Sequence, residues 1–385
     1  SGRRDGCPNI AAHPRERKGL ADPLECFAVA APGIEPITAR EVARLGVTDV
    51  ATEAGGVTFR AALAQVQDAN LRLRTASRVL VRVARFRART FFELERHATK
   101  LDWGRWLAPG AAPEFDVTSK KSKLYHEKGI AQRLAAAAGR TTATDAPTQL
   151  FVVRVQRDEF TVSIDSSGEL LHRRGYRQET AKAPLRETLA AAMLLGAGWH
   201  GQAPLVDPMC GSGTIPIEAA LIARGIAPGL GRGFAFEAWP SFELAGWRAV
   251  RARAEAEVMA RSPVHIAGSD RDAGAVAAAS ANAARAGVAE DVSFVEAPLS
   301  SLDPPEGAGF LVSNPPYGVR VGEEARLRDL YATLGKLVTQ RLDGWTVALL
   351  TANPRLDHAT GLDWREVLRT SNGGIPVRLI VHPAI

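Results

Sequence analysis

Hydrophobic and polar positions follow two different patterns along the chain, and the change falls near residue 183. Before it, short apolar runs alternate with segments whose apolar positions recur every three or four residues. Residues 25–60 predict a strand, a helix and a returning strand, and residues 91–166 continue in the same style. Runs at 150–155 and 160–165 flank a short charged turn and predict a hairpin. The front half therefore predicts an α+β unit.

After residue 183 the pattern becomes a regular alternation of apolar strands and helices. The predicted strands lie at 205–207, 264–268, 292–295, 310–312 and 345–350, and the predicted helices at 214–223, 273–286 and 327–340. Such alternation is typical of a parallel sheet covered by helices on both faces. The back half is thus predicted to be an α/β domain, and 385 residues suffice for two or three domains in all.

Composition narrows the class of protein. The hydrophobic fraction of 46% is ordinary for a globular protein, and no apolar run is long enough to cross a bilayer. Residues 1–24 are polar, rich in arginine and proline, and lack the apolar centre of a signal peptide, so we expect a disordered leader. The 3 cysteines are too few and too scattered for a disulfide framework or a zinc site, which favours a reducing cytoplasm and no metal.

Charge is distributed unevenly along the chain. The net charge is +6, but residues 1–180 hold 29 lysines and arginines against 21 acidic residues, whereas residues 181–385 hold 19 against 21. A basic front half beside a near-neutral back half suggests that the front half binds a polyanion such as a nucleic acid. The alternative is an arginine-rich solvated surface without a partner.

A lysine-rich loop is the best candidate for phosphate contacts. It leads into the predicted helix 129–138 and contains Lys120, Lys121, Lys123 and Tyr125. Helix N-termini attract anions, and lysines near them suit phosphate groups. We therefore predict that this loop contacts nucleic-acid phosphates; the alternative is that its lysines only solvate an exposed loop.

A glycine turn follows the strand at 205–207. Its candidate cofactor-binding residues are Asp207, Cys210, Gly211, Ser212, Gly213 and Thr214. Glycines at a strand-to-helix turn let the backbone approach a ligand closely. A dinucleotide site would need a third glycine, but Pro216 occupies that position and an acid precedes the turn. This combination resembles motif I of class I S-adenosylmethionine-dependent methyltransferases, in which the acid helps to orient the amino-acid part of the cofactor.

The next strand supplies a second acid. Asp270 follows the predicted strand at 264–268, where a carboxylate can accept hydrogen bonds from both ribose hydroxyls. Asp272 is better placed to cap the following helix. Cys210 could be read as a nucleophile, but no base lies near it in the sequence, so a small structural residue is the favoured interpretation.

Asn314, Pro315, Pro316 and Tyr317 follow the predicted strand at 310–312. A side-chain amide, a free carbonyl and an aromatic face at a strand end can grip a planar NH2 group and stack on the ring that carries it. With the glycine turn upstream, these four residues predict methyl transfer onto an amino nitrogen by positioning and charge stabilisation. The alternative is a rigid turn beside a core tyrosine.

Together these features resemble the bacterial RNA guanine-N2 methyltransferases that carry a THUMP domain, especially those that modify large-subunit ribosomal RNA. The resemblance covers roughly residues 25–385. It is carried by an ordered set of segments at 55–59, 124–126, 171–177, 183–192, 207–220, 227–230 and 313–318. The glycine turn and Asn-Pro-Pro-Tyr alone occur in many methyltransferases, whereas the ordered set is specific.

The resemblance implies S-adenosylmethionine as cofactor, RNA as partner and several structural parts. After the leader at 1–24, these are a ferredoxin-like segment at 25–59, a THUMP RNA-binding domain at 60–166, a linker at 167–182 and a Rossmann-like class I methyltransferase domain at 183–385. The fold class expected is therefore α/β for the catalytic domain, with α+β domains before it.

The resemblance also implies roles for residues outside the two motifs. Pro184 and Leu185 would lie on a segment that closes over the methionine end of the cofactor. Contacts with RNA are expected at Arg173, Arg174 and Arg177. Relatives usually carry an aspartate that contacts the adenine amino group, but Pro298 occupies that position here, so we assign no adenine contact unless Glu296 substitutes.

The function expected from these features is methylation of the exocyclic N2 amine of a guanosine in large-subunit (23S) ribosomal RNA. Guanine-N2 methylation of tRNA is the nearest alternative. Adenine-N6 methylation of DNA and glutamine methylation of a release factor use the same tetrapeptide, but the THUMP-like region disfavours both. A non-catalytic RNA-binding or ribosome assembly factor is the alternative of another class, motivated by Pro298.

Overall fold

The strands of the computed structural model form two seven-stranded sheets, one in each half of the chain. The structure describes residues 23–139, 147–178, 185–317 and 324–384. Residues 1–22 of the expected leader lie outside these ranges. The expectation of disorder is wrong for Leu24, the last residue of that leader, because it is buried and begins the first strand.

The first sheet comes from the front half and has the strand order β2-β3-β1-β4-β7-β6-β5. Its strands are β1 (Leu24–Ala30), β2 (Thr48–Glu53), β3 (Gly56–Ala61), β4 (Ala76–Arg87), β5 (Ala112–Lys120), β6 (Thr148–Gln156) and β7 (Glu159–Asp165). The helices of this half are α1 (Glu35–Ala43), α2 (Leu63–Arg72), α3 (Phe91–Ala98) and α4 (Glu127–Ala138). Neighbouring strands are antiparallel except β5 and β6, which run parallel.

The long strand β4 unites the two parts of this sheet, because it pairs with β1 on one side and with β7 on the other. The predicted hairpin is present as β6 and β7, with Arg157 and Asp158 of its turn in the left-handed region. The expected boundary between residues 59 and 60 falls inside β3. Since that strand belongs to one sheet along its whole length, no physical division lies there, and the limits of the ferredoxin-like and THUMP parts stay a proposal.

The second sheet comes from the back half. Its strands are β8 (Leu205–Asp207), β9 (Ile266–Asp270), β10 (Ser293–Glu296), β11 (Phe310–Ser313), β12 (Thr346–Thr351), β13 (Arg365–Asn372) and β14 (Ile375–His382). The helices are α5 (Glu187–Gly196), α6 (Thr214–Ala223), α7 (Leu244–Ala256), α8 (Ala273–Arg285), α9 (Glu324–Arg341) and α10 (Pro354–Ala359). Short 3-10 helices lie at Trp103–Arg105, Ala235–Ala238 and Leu299–Ser301.

The strand order of the second sheet is β10-β9-β8-β11-β12-β14-β13. The first five strands are parallel, so the predicted parallel sheet is confirmed for them. The strands β13 and β14, which were not predicted, form an antiparallel hairpin at one end of the sheet. The order reverses between β8 and β11, and ligands of such sheets bind in the crevice outside the strand ends at this switch point.

Apolar packing joins the two halves. The segment between α6 and β9 was expected to belong wholly to the catalytic domain, yet its Phe234, Phe236 and Trp247 lie in the core of the first sheet. Conversely, Ile34 and Ile37 of the front half lie in the core of the second sheet. Each half therefore completes the apolar core of the other.

Candidate active site at the switch point

The two candidate motifs meet at the carboxyl ends of β8 and β11. These strands are parallel neighbours with Leu311 paired to Val206, so Asp207 and Ser313 end them side by side. The buried Ser313 hydroxyl donates to Oδ1 of the buried Asp207 at 2.6 Å. The N–H of Met209 donates to the same oxygen at 3.1 Å. One hydrogen bond thus ties the glycine turn to the Asn-Pro-Pro-Tyr segment.

The ionisation of Asp207 is shifted by its surroundings. Burial raises the pKa of this carboxyl to about 7, the hydrogen bond from Ser313 opposes the rise, and the Asp270 carboxylate adds to it. An adjacent cation favours the charged form of a buried carboxyl. A bound amino acid would supply such a cation through its ammonium group, so Asp207 fits its expected role.

The glycine turn has an open side. Gly211 has a φ of +53°, in the region that glycine adopts without strain, and a Cβ added there would meet no atom of the described residues within 4 Å. Its N–H donates to Oδ2 of Asp270 at 3.0 Å, which holds the turn against β9. The backbone at Gly211 is therefore fixed in place but uncovered, as close approach of a ligand requires.

The other end of the turn is closely packed. Gly213 has a φ of +81°, and a Cβ added there would lie 2.8 Å from Cβ of Ala279 on α8. The Asn282 side chain of the same helix donates from Nδ2 to the Ser212 carbonyl at 3.0 Å. Thr214 then begins α6. Helix α8 thus supports the turn from the side away from the open backbone of Gly211.

Asp270, which ends β9, and Asp272, which follows it, have different hydrogen-bond partners. Asp272 caps α8, as predicted, because its Oδ1 accepts the N–H groups of Gly274 and Ala275 at 2.8 and 3.3 Å. Asp270 uses Oδ1 for the N–H of Asp272 at 3.0 Å and Oδ2 for the glycine turn. Each oxygen of a carboxylate can accept a second hydrogen bond, so the ribose contact expected at Asp270 stays a proposal.

Cys210 has the surroundings of a structural residue. It is buried, and its N–H donates to the Ser269 carbonyl at 3.0 Å. Burial raises the pKa of its thiol, and the charge of Asp207 raises it further. A nucleophilic cysteine needs a lowered pKa, so this environment disfavours covalent catalysis.

The Asn-Pro-Pro-Tyr segment has a buried polar side-chain atom that lacks a partner among the described residues. Oδ1 of Asn314 is buried and accepts no hydrogen bond from any residue that the structure describes. Pro315 is buried, Pro316 is exposed and Tyr317 is half-buried. Buried acceptors are nearly always satisfied in native proteins, so this orphaned oxygen needs an explanation.

Ser313 and Asn282 belong to the site and were missed in the sequence. Ser313 is the polar residue that ends an otherwise apolar strand, and Asn282 is the amide in an alanine-rich helix. A lone polar residue in an apolar element was the available signal. Its partner could not be inferred, because Ser313 bonds to a residue 106 positions away and Asn282 to one 70 positions away.

The lysine-rich loop joins β5 to α4 at an edge of the first sheet. Lys120, Lys121, Lys123 and Tyr125 are all exposed, and 78% of Tyr125 is accessible to solvent. Asp158 shapes the loop, because its Oδ1 accepts the Lys123 N–H at 2.8 Å. An exposed tyrosine among lysines suits base stacking and phosphate contacts, so the RNA-binding role is kept as a proposal.

The three arginines expected to bind RNA occupy different environments. Arg173 is exposed and only loosely paired with Glu169 at 3.5 Å. Arg174 is buried and forms an ion pair with the fully buried Glu218 at 2.9 Å, so its expected RNA contact is wrong. Arg177 is mostly buried beside Glu187 at 3.2 Å. Of the three, Arg173 alone offers a freely accessible guanidinium.

The structure describes most of the other residues that the sequence analysis considered as cofactor contacts. Pro184 lies outside the described residues. Leu185 is buried, and its carbonyl accepts a hydrogen bond from Nη1 of Arg177 at 2.6 Å. Pro298 precedes the 3-10 helix Leu299–Ser301, while Glu296 ends β10 and is exposed. No adenine contact is assigned.

Neither a metal centre nor a membrane span is found in the parts of the chain that the structure describes. No group of three or more histidine, cysteine, aspartate or glutamate side chains is arranged to hold an ion there. None of the helices in the same ranges combines the length and the apolarity needed to cross a bilayer.

Three features define a Rossmann-like methyltransferase. They are the strand order of the second sheet, the glycine turn after β8 and Asn-Pro-Pro-Tyr after β11. The profile described as the RMKL-like methyltransferase domain matches residues 174–379, more than half of the chain. The chain belongs to this family. A second profile, the RlmL ferredoxin-like domain, matches residues 25–80 and confirms a ferredoxin-like domain at the front.

Similar proteins cover nearly the whole chain. A Synechocystis protein named "Putative RNA methyltransferase slr0064" is 34% identical over 92% of this chain and 96% of its own length. The ribosomal RNA large subunit methyltransferase K/L of Syntrophotalea carbinolica is 36% identical over 93% of this chain but 53% of its own. The chain therefore spans about half the length of that K/L enzyme.

A solved structure has the same fold from end to end. SMU.472, described as a putative methyltransferase complexed with SAH, is 32% identical and superposes with a TM-score of 0.88 over 95% of this chain and 99% of its own. SAH, S-adenosylhomocysteine, is the demethylated form of S-adenosylmethionine. The cofactor predicted from the glycine turn is thus the one that this family uses.

Proposed function

We propose that this protein methylates the exocyclic N2 amine of a guanosine in large-subunit ribosomal RNA, using S-adenosylmethionine. RNA methyltransferase names among the full-length relatives support an RNA substrate. The K/L names support ribosomal RNA, although those proteins are about twice as long. The guanine-N2 target rests on the chemistry of the Asn-Pro-Pro-Tyr segment.

The observation that carries the proposal is the unpartnered, buried Oδ1 of Asn314. Desolvating an acceptor without giving it a donor costs about 1–3 kcal/mol, so an N–H group brought by the substrate would recover that cost. The atom lies one residue beyond Ser313, which is bonded to Asp207 of the glycine turn. An amine held by Asn314 would therefore lie beside the cofactor site.

The residues around the glycine turn fit the cofactor. When bound, S-adenosylmethionine supplies an activated methyl group on a sulfonium ion. Asp207 would orient the ammonium group of the cofactor, and Asp270 would accept hydrogen bonds from its ribose hydroxyls. The open backbone at Gly211 would line the binding site. These side chains bind and orient, and no covalent enzyme intermediate is required.

The Asn-Pro-Pro-Tyr segment would activate the amine by geometry. Guanine N2 is a poor nucleophile because its lone pair is delocalised into the ring. Oδ1 of Asn314 and the Pro315 carbonyl can each accept one N–H, which draws the nitrogen towards tetrahedral geometry and frees its lone pair. Two prolines fix the backbone there, and Tyr317 would stack on the base. The guanine must be unpaired or flipped out to reach this site.

RNA would be held on the front half. The exposed lysine-rich loop and Arg173 supply phosphate contacts, and Tyr125 supplies a stacking surface. The basic excess of residues 1–180 agrees with this assignment. We place the THUMP domain in this half, after the ferredoxin-like part.

Nucleoside mass mapping tests the proposal. Ribosomal RNA and tRNA are isolated from cells with and without the gene, and from deletion cells that express variants. We expect N2-methylguanosine to be lost at one ribosomal RNA site and restored by the wild type but not by Asn314→Ala. Asn353→Ala is the matched control: Asn353 also precedes a proline after a neighbouring strand, but its Oδ1 caps α10 through the Arg355 N–H at 3.0 Å.

Each other result has a defined meaning. Loss of N2-methylguanosine from tRNA alone would overturn the assignment of ribosomal RNA as substrate. Loss of N6-methyladenosine would overturn the assignment of guanine N2 as the target atom. An unchanged nucleoside profile, together with tight RNA binding and no binding of S-adenosylmethionine, would favour a non-catalytic RNA-binding factor.

A further inference from the structure

A hairpin at the end of the second sheet reaches the Asn-Pro-Pro-Tyr segment. Strand β14 pairs antiparallel with β12, and its Arg378 lies opposite Thr351, the last residue of β12. Residues 370–377 therefore extend past the carboxyl end of β12, on the side of the sheet edge where the active site lies. β12 is itself the neighbour of β11, which carries Asn314 and Tyr317 just beyond its end.

The tip of this hairpin is a tight two-residue turn. Asn372 pairs with Ile375, and the two residues between them, Gly373 and Gly374, have φ values of +57° and +84°. Two successive residues with positive φ make the tight connection that matches the twist of the paired strands. Asn372 is itself buried and pairs with Ile375 directly before this turn, so its side chain is held against its neighbours.

Asn372 contacts the tyrosine of the active site. Its Nδ2 donates to the Tyr317 hydroxyl at 3.0 Å, across 55 residues of sequence. Tyr317 is half-buried against the core of the second sheet. A tyrosine ring is fixed by two side-chain torsions, so packing at its base and a hydrogen bond at its tip together restrict both.

We propose that Asn372 is a positioning residue for the transfer reaction: it holds the Tyr317 ring in the orientation that stacks on the target base. This inference rests on the proposed function, in which Tyr317 contacts the substrate. Asn372 itself acts through Tyr317 and touches neither the base nor the cofactor. The terminal hairpin is thereby a part of the active site.

A double-mutant cycle tests the inference. The variants are Asn372→Ala, Tyr317→Phe and the double variant, assayed with labelled S-adenosylmethionine on total ribosomal RNA from cells that lack the gene. Each single change removes the same hydrogen bond, so we expect each to lower kcat by about 2- to 12-fold, the equivalent of one net hydrogen bond. KM for RNA should stay unchanged, and the double variant should be no slower than the slower single variant.

A matched control separates this effect from damage to the hairpin. Ser371→Ala alters the exposed neighbour on the same strand and should leave both constants unchanged. Asn372 does not lie in the left-handed region, so alanine fits its backbone. Multiplicative losses in the double variant, or a matching loss in Ser371→Ala, would overturn the inference.

A spectroscopic readout makes the outcome independent of activity. The chain has 4 tyrosines, so protein labelled with 3-fluorotyrosine gives four fluorine signals, and Tyr317→Phe identifies one of them. We expect Asn372→Ala to shift or broaden that signal alone. An unmoved signal would overturn the contact. A wild type that transfers no methyl group to this RNA would instead refute the proposed function, while the fluorine spectrum still decides the contact.

Discussion

Asp207 ends β8 and Asn314 follows the end of the neighbouring strand β11, but their Oδ1 atoms differ in hydrogen bonding. Oδ1 of Asn314 is buried without a donor, whereas Oδ1 of Asp207 accepts two hydrogen bonds from within the protein. Asp207 is still unfavourable when ionised, because burial raises its pKa to about 7. Both residues thus lower the stability of the free protein. Such a cost is common where a site is kept ready for a ligand.

Replacing Asp207 with asparagine should separate stability from binding. The folded-state pKa of about 7 lies above the ordinary aspartate value of 3.8, so between these values the folded protein binds a proton that the unfolded chain has lost. The wild type therefore loses stability as pH rises through this window, while Asp207→Asn does not. We expect the thermal midpoint of Asp207→Asn to exceed that of the wild type above pH 7, and the difference to shrink as pH falls.

Binding should change in the opposite direction. Asp207→Asn removes the carboxylate that would pair with the cofactor ammonium, and truncation of a charged partner typically costs 2–5 kcal/mol or more when the pair is buried. Calorimetric titration with S-adenosylhomocysteine should show affinity reduced by at least about tenfold. A variant that bound as tightly as the wild type would remove Asp207 from the site.

At the scale of single residues, the sequence predicted which chemical groups form the site but not which residues they contact. Asp207, the glycine turn and Asn314 stand in recognisable local patterns. Arg173 and Arg174 are adjacent in one basic run, and the sequence does not distinguish the exposed one from the buried one. That difference depends on Glu218, which lies on α6, 44 residues away.

At the scale of elements, the glycine turn contains two glycines that are required for different physical reasons. Both have positive φ, but Gly213 packs on α8 and Gly211 has open space beside it. Gly213 is thus required by packing within the fold. Gly211 is required by conformation, and the space beside it is available to a ligand.

Alanine substitutions should reveal this difference. Left-handed geometry costs an L-residue about 1–2 kcal/mol, and Gly213→Ala adds a contact of 2.8 Å with Ala279, so it should be clearly the more destabilising change. Gly211→Ala should cost only the conformational term, yet it should weaken cofactor binding. Denaturant unfolding and titration with S-adenosylhomocysteine measure the two effects.

Gly287→Ala provides the reference for the conformational cost. Gly287 also has positive φ (+71°), no described residue lies within 4 Å of a Cβ added to it, and it follows the far end of α8. It should match Gly211→Ala in stability and the wild type in cofactor binding. If Gly211→Ala bound cofactor as well as Gly287→Ala, the open side of the turn would not be the cofactor site.

Patterning identified the five parallel strands but not the terminal hairpin. Pro376 lies in β14, and a proline within an apolar run argues against a central strand because it cannot donate a hydrogen bond. Here it is tolerated because β12 ends opposite Arg378, so no β12 residue pairs with position 376. The sequence could not reveal this, since it depends on how far one strand extends past another.

Across the whole molecule, the segment 171–178 connects the two halves beside the cofactor turn. Arg174 donates to the Arg74 carbonyl of the front half at 2.7 Å and pairs with Glu218 of α6, the helix that begins at the glycine turn. The Tyr176 hydroxyl also donates to Glu218, at 3.1 Å. Buried polar contacts therefore hold the two halves together at the helix that follows the glycine turn.

Replacing Arg174 should therefore mainly lower stability, whereas replacing the adjacent Arg173 should mainly affect RNA binding. Arg174→Ala leaves Glu218 buried without its counter-ion, which should cost about 3–5 kcal/mol of unfolding free energy. Arg173→Ala removes an exposed side chain and should change stability by less than about 0.5 kcal/mol. If Arg173 contacts a phosphate, its loss should lower RNA affinity and reduce the slope of log affinity against log salt by about 0.7–0.9. Denaturant unfolding and RNA binding at several salt concentrations measure both effects. An Arg173→Ala variant with wild-type affinity and salt dependence would leave the lysine-rich loop to hold the RNA without help from the segment between the halves.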